Sequence, residues 1–266
     1  ASLYTSCMAA NKGFFATLFG EEDVIFSDGL NHASIIDGIR LSGAKLIPYP
    51  HKNIAALEKL LMKSKFRRRL IVTDSVFSMD GDIAPIPELI KLAQKYDAML
   101  MTDDAHASGV LTAKNNNIIQ MGTLSKAFGV LGGFVAGSQV LIDYLRNKAR
   151  SFIYTTALPA PLCAAALESI KISEAEPERR KKLWDNIAYL NKKLNLKAES
   201  PIIPILIGDS QKTLEASKAL FDQGIFVSAI RPPTVPKGTS RLRITLSSSH
   251  GKSDIDKLVK ALNYKC

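Results

Sequence analysis

The feature that most constrains the fold is an alternation of short apolar runs with amphipathic stretches before residue 103. The apolar runs occupy residues 24–26, 45–47, 70–73 and 98–102. Amphipathic stretches with helical spacing lie at residues 54–65 and 87–96. Short, mainly apolar runs are typical of parallel strands buried on both faces, and their alternation with helices is typical of βαβ units. The sequence therefore predicts an α/β fold with a parallel sheet.

The pattern changes in the second half of the chain. A further strand is predicted at residues 133–136, a helix at 139–150 and a long helix at 159–172. From residue 177 a helix is followed by a strand, a helix, more strands and a last helix, which is typical of a smaller α+β domain. With 266 residues, 46% of them hydrophobic, the chain can bury more than one simple core. We predict a large domain at 1–158, a connecting helix at 159–176 and a small domain at 177–266.

Polar residues directly follow the apolar run at 98–102. They include Asp103, Asp104 and His106. Ligands of open α/β sheets bind at the carboxyl ends of strands, so chemistry is expected at this position. Taken alone, Asp103 and His106 are equally compatible with a pair of metal ligands or with a helix N-cap.

Lys126 lies in a run of small and hydroxyl-bearing residues, 122–129, and a glycine-rich apolar segment follows it. A lysine in such a backbone-rich place is expected to be partly desolvated, which favours the neutral, nucleophilic amine of a Schiff-base lysine. The alternative is a surface lysine in a glycine turn. Combined with Asp103 upstream, the pattern favours pyridoxal phosphate (PLP) chemistry, in which an aspartate keeps the pyridine nitrogen protonated and a lysine carries the cofactor.

Five segments together resemble one family. They are residues 27–34, 76–82, 103–109 (with Asp103), 122–129 (with Lys126) and 229–243. They occur in this order and span nearly the whole chain. The chain resembles the α-oxoamine synthases, PLP enzymes of the aspartate-aminotransferase fold (fold type I). The resemblance implies that an amino acid is condensed with an acyl-CoA and that carbon dioxide is lost.

The resemblance also implies roles at the cofactor ring. Lys126 would bind PLP and later move protons at the substrate Cα, and Asp103 would pair with the pyridine nitrogen. His106 would approach the phenolic edge of the ring, and His32 would stack on its face. Ser78 would hydrogen-bond near the phenolic oxygen or the substrate. Without the resemblance, His32 would be read as structural and Ser78 as a turn hydroxyl.

Further residues are implied at the phosphate. The backbone amides of Cys7 and Met8 match the family's phosphate-holding turn, as expected where a helix begins. Thr123 and Ser125 would add hydroxyl groups from the lysine loop. Thr155 matches a position that reaches the phosphate of the neighbouring subunit, which implies a homodimer with a shared active site.

Substrate contacts are implied in segment 229–243. Arg243 would bind the amino-acid carboxylate, because a guanidinium group forms two parallel hydrogen bonds with a carboxylate. Arg241 points to the same face of a strand, so spacing does not separate the two arginines and only the resemblance favours Arg243. Thr234, in a proline-rich loop, would contact the acyl substrate.

Segment 229–243 is most similar to the biotin-pathway member of the family. That similarity implies L-alanine and a pimeloyl thioester, of CoA or of a carrier protein, as substrates. The alternatives are glycine with acetyl-CoA, an aminotransferase of the same fold and, more remotely, a non-catalytic subunit without PLP. Lys126 argues against the last of these, because such a subunit would have lost the lysine.

Two departures from the family concern length. The chain begins at Ala1 without Met, inside the expected large domain, so we expect a preceding segment with substrate contacts. The link at residues 112–117 is shorter than the family's usual connection, either through a real deletion or because a loop is missing from the sequence.

Composition excludes other classes of protein. The net charge of +10 is compatible with binding to nucleic acid. However, the basic residues cluster only at 65–69 and 178–182, and no motif of a nucleic-acid-binding module accompanies them. No apolar stretch approaches the ~18 residues of a membrane span. Three cysteines without CxxC spacing favour a reducing, cytoplasmic location and no zinc site. We therefore expect neither a nucleic-acid nor a membrane partner, and no metal.

Overall fold

A computed structural model describes residues 1–111 and 118–263 of the chain. Two compact units are present. The first contains Ala1–Phe77 and Ala84–Ile172, and the second contains Ser78–Ile83 and Ser173–Cys266. The link at residues 112–117 lies outside the described residues. The predicted domain boundaries at residues 158 and 176 stay a prediction, since compactness alone does not define a domain.

The first unit is built on a seven-stranded sheet. Its strands are β1 (Ser2–Tyr4), β2 (Val24–Asp28), β3 (Lys45–Tyr49), β4 (Arg69–Asp74), β5 (Met99–Asp103), β6 (Ile119–Thr123) and β7 (Gly133–Ala136). The strand order is β1-β7-β6-β5-β4-β2-β3. Strands β2 to β6 pair in parallel, whereas β7 is antiparallel to both β6 and β1. The predicted α/β fold is confirmed, and its sheet is mostly parallel.

The reversal at β7 has a simple cause. Parallel neighbours need a crossover of about a dozen residues or more, and residues 124–132 are too few to provide one. Instead they form a hairpin connection. The Leu124 N–H donates to the Gly132 carbonyl at 2.9 Å, and the Val130 N–H donates to the Leu124 carbonyl at 2.9 Å. The run around Lys126 is therefore the loop of a hairpin.

Helices cover both faces of this sheet. They are α1 (Cys7–Leu18), α2 (Ala33–Ser42), α3 (Ile54–Lys63), α4 (Ile86–Lys95), α5 (Gln139–Lys148), α6 (Arg150–Ile153) and α7 (Ala160–Ala175), the last of which continues into the second unit. The four predicted helices recur with shifted ends, whereas α2 was not predicted and α1 was expected only as a helix start at Cys7 and Met8. Helix α1 begins where the Ser6 hydroxyl accepts a hydrogen bond from the Ala9 N–H at 3.1 Å, as an N-cap serine does.

Alternation along the strands divides the core into two layers. Ile25, Leu70 and Met101 face one cluster, which includes side chains of α1, α2 and α5. Phe26 and Ile71 face the other cluster, which includes side chains of α3 and α4. Since successive side chains point to opposite faces, both layers must be apolar. This explains why the strands read as continuous apolar runs.

The second unit contains a three-stranded antiparallel sheet with the order β8-β10-β9. Its elements are α8 (Pro177–Leu194), β8 (Ile202–Gly208), α9 (Ser210–Phe221), β9 (Ser228–Ile230), β10 (Ser240–Thr245) and α10 (Lys252–Asn263). Segment 78–83 packs against it at Gly81, whose φ is +73°. A Cβ there would lie 1.9 Å from the Ile202 carbonyl oxygen, so only glycine allows this approach. Within the described ranges, no helix has the length and apolar character needed to cross a membrane.

Candidate active site

Asp103 is the last residue of β5, and its carboxylate is buried. Its Oδ1 accepts a hydrogen bond from the Ala105 N–H at 3.0 Å, and its Oδ2 accepts one from the Asn11 side-chain amide at 3.1 Å. A buried charge needs such donors, and here they also fix the orientation of the carboxyl plane. The carboxylate is thus held rigidly at the carboxyl end of the sheet.

A second carboxyl group, that of Asp74, ends the neighbouring strand β4 in register with Asp103. Burial raises the pKa of Asp74 well above its usual range, and the negative charge of Asp103 raises it further, while the charge of Lys126 lowers it. Two carboxylates so close together in a dry site do not both ionise easily. The sequence analysis missed Asp74, although its position directly after an apolar run was the same signal that identified Asp103.

Asp104, the residue after Asp103, accepts hydrogen bonds from two polar side chains. Its Oδ1 accepts a hydrogen bond from the Ser75 hydroxyl, and its Oδ2 accepts one from the Gln120 amide at 2.8 Å. Burial raises the pKa of this carboxyl, while these hydrogen bonds lower it. Asp104 therefore ties together residues that follow β4 and lie on β6.

Lys126 lies in the hairpin loop between β6 and β7. Its carbonyl accepts a hydrogen bond from the Gly129 N–H at 3.1 Å. At the base of the loop, the Thr123 hydroxyl donates to the Gly132 carbonyl at 3.0 Å and lies 2.8 Å from the Ser125 hydroxyl. Lys126 is exposed, and its charge acts to lower the pKa values of the Asp74 carboxyl and the Cys7 thiol against the larger effect of burial. The partial desolvation of its amine stays a prediction.

Helix α1 begins beside Asp103. The first N–H groups of a helix have no partner inside it and favour an anion, and here they belong to Cys7 and its successor Met8. Gly133 permits this placement, since a Cβ there would lie 2.4 Å from the Cys7 nitrogen. The Cys7 sulfur lies 3.6 Å from Asp103 Oδ2. Burial raises the pKa of this thiol, and the charge of Asp103 raises it further.

His32 is the N-cap of α2 and is exposed. Its Nδ1 accepts a hydrogen bond from the Ser34 N–H at 3.2 Å. The preceding Asn31 fixes this loop to β4: its amide donates to the Val72 carbonyl at 2.9 Å, and its side-chain oxygen accepts from the Asp74 N–H at 2.8 Å. His106 lies in the half-buried turn that follows β5.

Three predicted residues lie in the second unit. On β10, Arg243 donates from Nη1 to the Ser78 carbonyl at 3.0 Å. Its Nε is buried and has no hydrogen-bond partner among the described residues, and burial lowers the pKa of the guanidinium. Arg241 instead donates to the Asp80 carboxylate and, at 3.4 Å, to the Met79 carbonyl. Thr234 is exposed in a turn before β10.

Several predicted residues of the first unit thus fall at one end of its sheet. Asp103 and the Thr123–Ser125–Lys126 loop follow adjacent strands, and α1 begins beside them. Thr155 is exposed between α6 and α7. In the ranges 1–111 and 118–263, no three His, Cys, Asp or Glu side chains come together as metal ligands.

The model of the aminotransferase class I and II family matches residues 1–262. The chain is 49% identical to a putative 8-amino-7-oxononanoate synthase of Acetivibrio thermocellus, over 98% of its own length and 71% of the relative's. The chain belongs to the α-oxoamine synthases within this family. The family and fold expected from the motifs are therefore confirmed.

Solved structures agree with this assignment. A serine palmitoyltransferase from S. paucimobilis, solved with PLP and myriocin bound, superimposes with a TM-score of 0.95 and 29% identity, covering 99% of this chain and 71% of that one. An 8-amino-7-oxononanoate synthase from Francisella tularensis superimposes with a TM-score of 0.80 and 33% identity, covering 98% and 82%.

The residues at the end of the first sheet fit PLP. A phosphate suits the start of α1, which Gly133 admits and which a Cβ would block, together with the hydroxyls of Thr123 and Ser125. A protonated pyridine nitrogen suits the buried carboxylate of Asp103, and an aldehyde suits the amine of Lys126. These residues thus match the phosphate, the pyridine nitrogen and the aldehyde of the cofactor.

The raised pKa of Cys7 gives a test of this geometry. At pH 8.5 the Cys7 thiol should remain protonated, and iodoacetamide should alkylate it at least about tenfold more slowly than Cys163 in cofactor-free protein. Asp103→Asn removes a charge that raises this pKa, so Cys7 should react faster and Cys163 should not change. Peptide-resolved mass spectrometry measures both rates. Equal rates at the two cysteines, or no response of Cys7 to Asp103→Asn, would contradict the arrangement.

Proposed function

We propose that this chain is a PLP-dependent acyltransferase, an 8-amino-7-oxononanoate synthase of biotin biosynthesis. It condenses L-alanine with pimeloyl-CoA, or with a pimeloyl carrier protein, and releases CO2 and the free thiol carrier. The observation that carries this proposal is the 49% identity to a synthase of this name over 98% of the chain. The grouping of Asp103, Lys126 and the start of α1 at one sheet end supports it.

When bound, PLP supplies an electron sink for negative charge at the amino-acid Cα. Lys126 would hold the cofactor and move protons at the substrate Cα. Asp103 would accept a hydrogen bond from the protonated pyridine nitrogen, and the Asn11 amide and the Ala105 N–H would keep its carboxylate in place. His32 would cover the ring face, and His106 would lie at the phenolic edge.

The phosphate is held by three groups of donors. The amides of Cys7 and Met8 provide the helix start, and the hydroxyls of Thr123 and Ser125 provide side-chain donors. Thr155 reaches the phosphate of the partner subunit in a homodimer. Its exposure supports this role, and so do the exposed apolar side chains of the adjacent Ile153 and Tyr154, since such side chains are common where proteins associate.

Arg243 binds the carboxylate of the amino acid. Its neighbour Arg241 is already engaged by the Asp80 carboxylate, whereas Arg243 has only the Ser78 carbonyl and a buried Nε without a partner among the described residues. A buried donor without a partner is costly, and a bound carboxylate would satisfy it. The resemblance to the family suggests that Thr234 would contact the acyl substrate and that Ser78 would bind near the phenolic oxygen or the substrate.

The cellular setting follows from the same features. Cys7 and Cys163 are free thiols, which supports a reducing, cytoplasmic location. The basic surface would attract an anionic CoA or acyl-carrier substrate. The partners are thus small molecules or a carrier protein and a second copy of the chain.

A substrate panel tests the reaction. With free-CoA release as readout, alanine with pimeloyl-CoA should give the highest kcat/KM. Glycine should be about 10–200-fold poorer, because one methyl group in an apolar pocket contributes ~1–3 kcal/mol. A higher kcat/KM for glycine with acetyl-CoA would replace the biotin assignment with a glycine C-acetyltransferase. Transfer of the amino group to a keto acid, without CoA release, would indicate an aminotransferase.

The two arginines give a matched pair of variants. Arg243→Gln should raise the KM for alanine by about tenfold or more, because a charged hydrogen bond contributes about 1.5–3 kcal/mol, and should change the KM for pimeloyl-CoA far less. Arg241→Lys keeps a cation beside Asp80 and should leave the KM for alanine within about twofold. A raised alanine KM in Arg241→Lys, with a normal one in Arg243→Gln, would transfer the carboxylate role to Arg241.

A further inference from the structure

Asn11 is a buried residue of α1 that connects two predicted cofactor contacts. It is fully buried, and Ser34 and Asp103 are almost so. The Asn11 amide nitrogen donates to Asp103 Oδ2 at 3.1 Å and to the Ser34 hydroxyl oxygen at 2.9 Å. The Ser34 hydroxyl in turn lies 2.8 Å from His32 Nδ1. A continuous chain of hydrogen bonds therefore runs from Asp103 to His32.

The orientation of the Asn11 amide is determined by its neighbours. A carboxylate accepts hydrogen bonds and donates none, so the group that faces Asp103 must be the NH2 group and not the oxygen. In this orientation Asn11 Oδ1 is buried and has no hydrogen-bond partner among the described residues. An unsatisfied buried acceptor is destabilising. We therefore infer that the role of Asn11 lies in the hydrogen bonds that its NH2 group donates to Ser34 and Asp103.

The protons along this chain can then be counted. Ser34 Oγ accepts a hydrogen from Asn11, so its own hydrogen is available for His32 Nδ1. The Ser34 backbone N–H also donates to Nδ1, at 3.2 Å. Two donors point at Nδ1, which must therefore be the acceptor nitrogen of the ring, and the proton of the neutral imidazole lies on Nε2.

We propose that Asn11 is a positioning residue for the condensation proposed above: its amide orients the Asp103 carboxylate and, through the Ser34 hydroxyl, sets the tautomer and orientation of the His32 ring. One side chain thereby aligns the group that faces the pyridine nitrogen and the group that covers the ring. This inference rests on the proposed function for the roles of Asp103 and His32. The hydrogen-bond chain itself does not depend on which substrates are used.

The first test is the tautomer of His32 in the wild-type holoenzyme. The chain has four histidines, so 15N-histidine labelling gives few signals, and His32→Gln assigns the relevant one. We expect a protonated Nε2 and a hydrogen-bonded, unprotonated Nδ1. A protonated Nδ1 in the wild type would overturn the proposal without any other variant.

The second test separates positioning from folding. Ser34→Ala keeps Asn11 and Asp103 but breaks the chain, and it should shift the Nδ1 signal of His32 toward that of a free ring nitrogen. Ser34→Thr retains a hydroxyl and should restore the wild-type signal. Asn11→Ala should change both the His32 signal and the absorbance band of bound PLP, and kcat should fall about 10–100-fold, as for partners that orient ligating histidines.

Asn186 provides the control. It is a buried asparagine of the second unit that donates to the Ser247 and His250 carbonyls at 3.1 and 3.0 Å. Asn186→Ala should lower stability without changing the His32 signal or the PLP band. Unchanged His32 and PLP signals in folded Asn11→Ala would overturn the proposal. Failure of alanine and pimeloyl-CoA as substrates would leave the NMR result intact, so the two failures are distinguishable.

Discussion

The buried carboxylate of Asp103 is the interaction on which the site depends. A charge at this depth is stable only if donors face it, and the donors come from two places: the Ala105 N–H just after β5 and the Asn11 amide on α1. The packing of α1 against the sheet therefore does more than fill the core. It brings one of these donors to Asp103 and places the start of the helix beside the same carboxylate.

The topology of the sheet explains why the remaining groups gather there. Parallel strands end at one edge, so the carboxyl ends of β4, β5 and β6 present Asp74, Asp103 and the lysine loop side by side. The antiparallel β7 matters as much. It turns the connection after β6 into a short hairpin, which fixes the backbone around Lys126.

Local patterns were sufficient to predict most of this architecture. The apolar runs identified β2 to β5, and the residues after them identified Asp103 and Lys126. Asp74, Asn11 and helix α2 were missed, and of α1 only the start at Cys7 and Met8 was expected. The contact between Asn11 and Asp103 joins residues 92 positions apart, and no local pattern around Asn11 predicts it.

The most direct measurement of the central claim is the site at which PLP attaches. Borohydride reduction of the PLP-bound protein, followed by digestion and mass spectrometry, should find a phosphopyridoxyl group on the peptide that contains Lys126. Lys126→Ala should lose that label, whereas Lys148→Ala, a change on the exposed side of α5, should retain it. A label on another lysine, or an undiminished label in Lys126→Ala, would contradict the account.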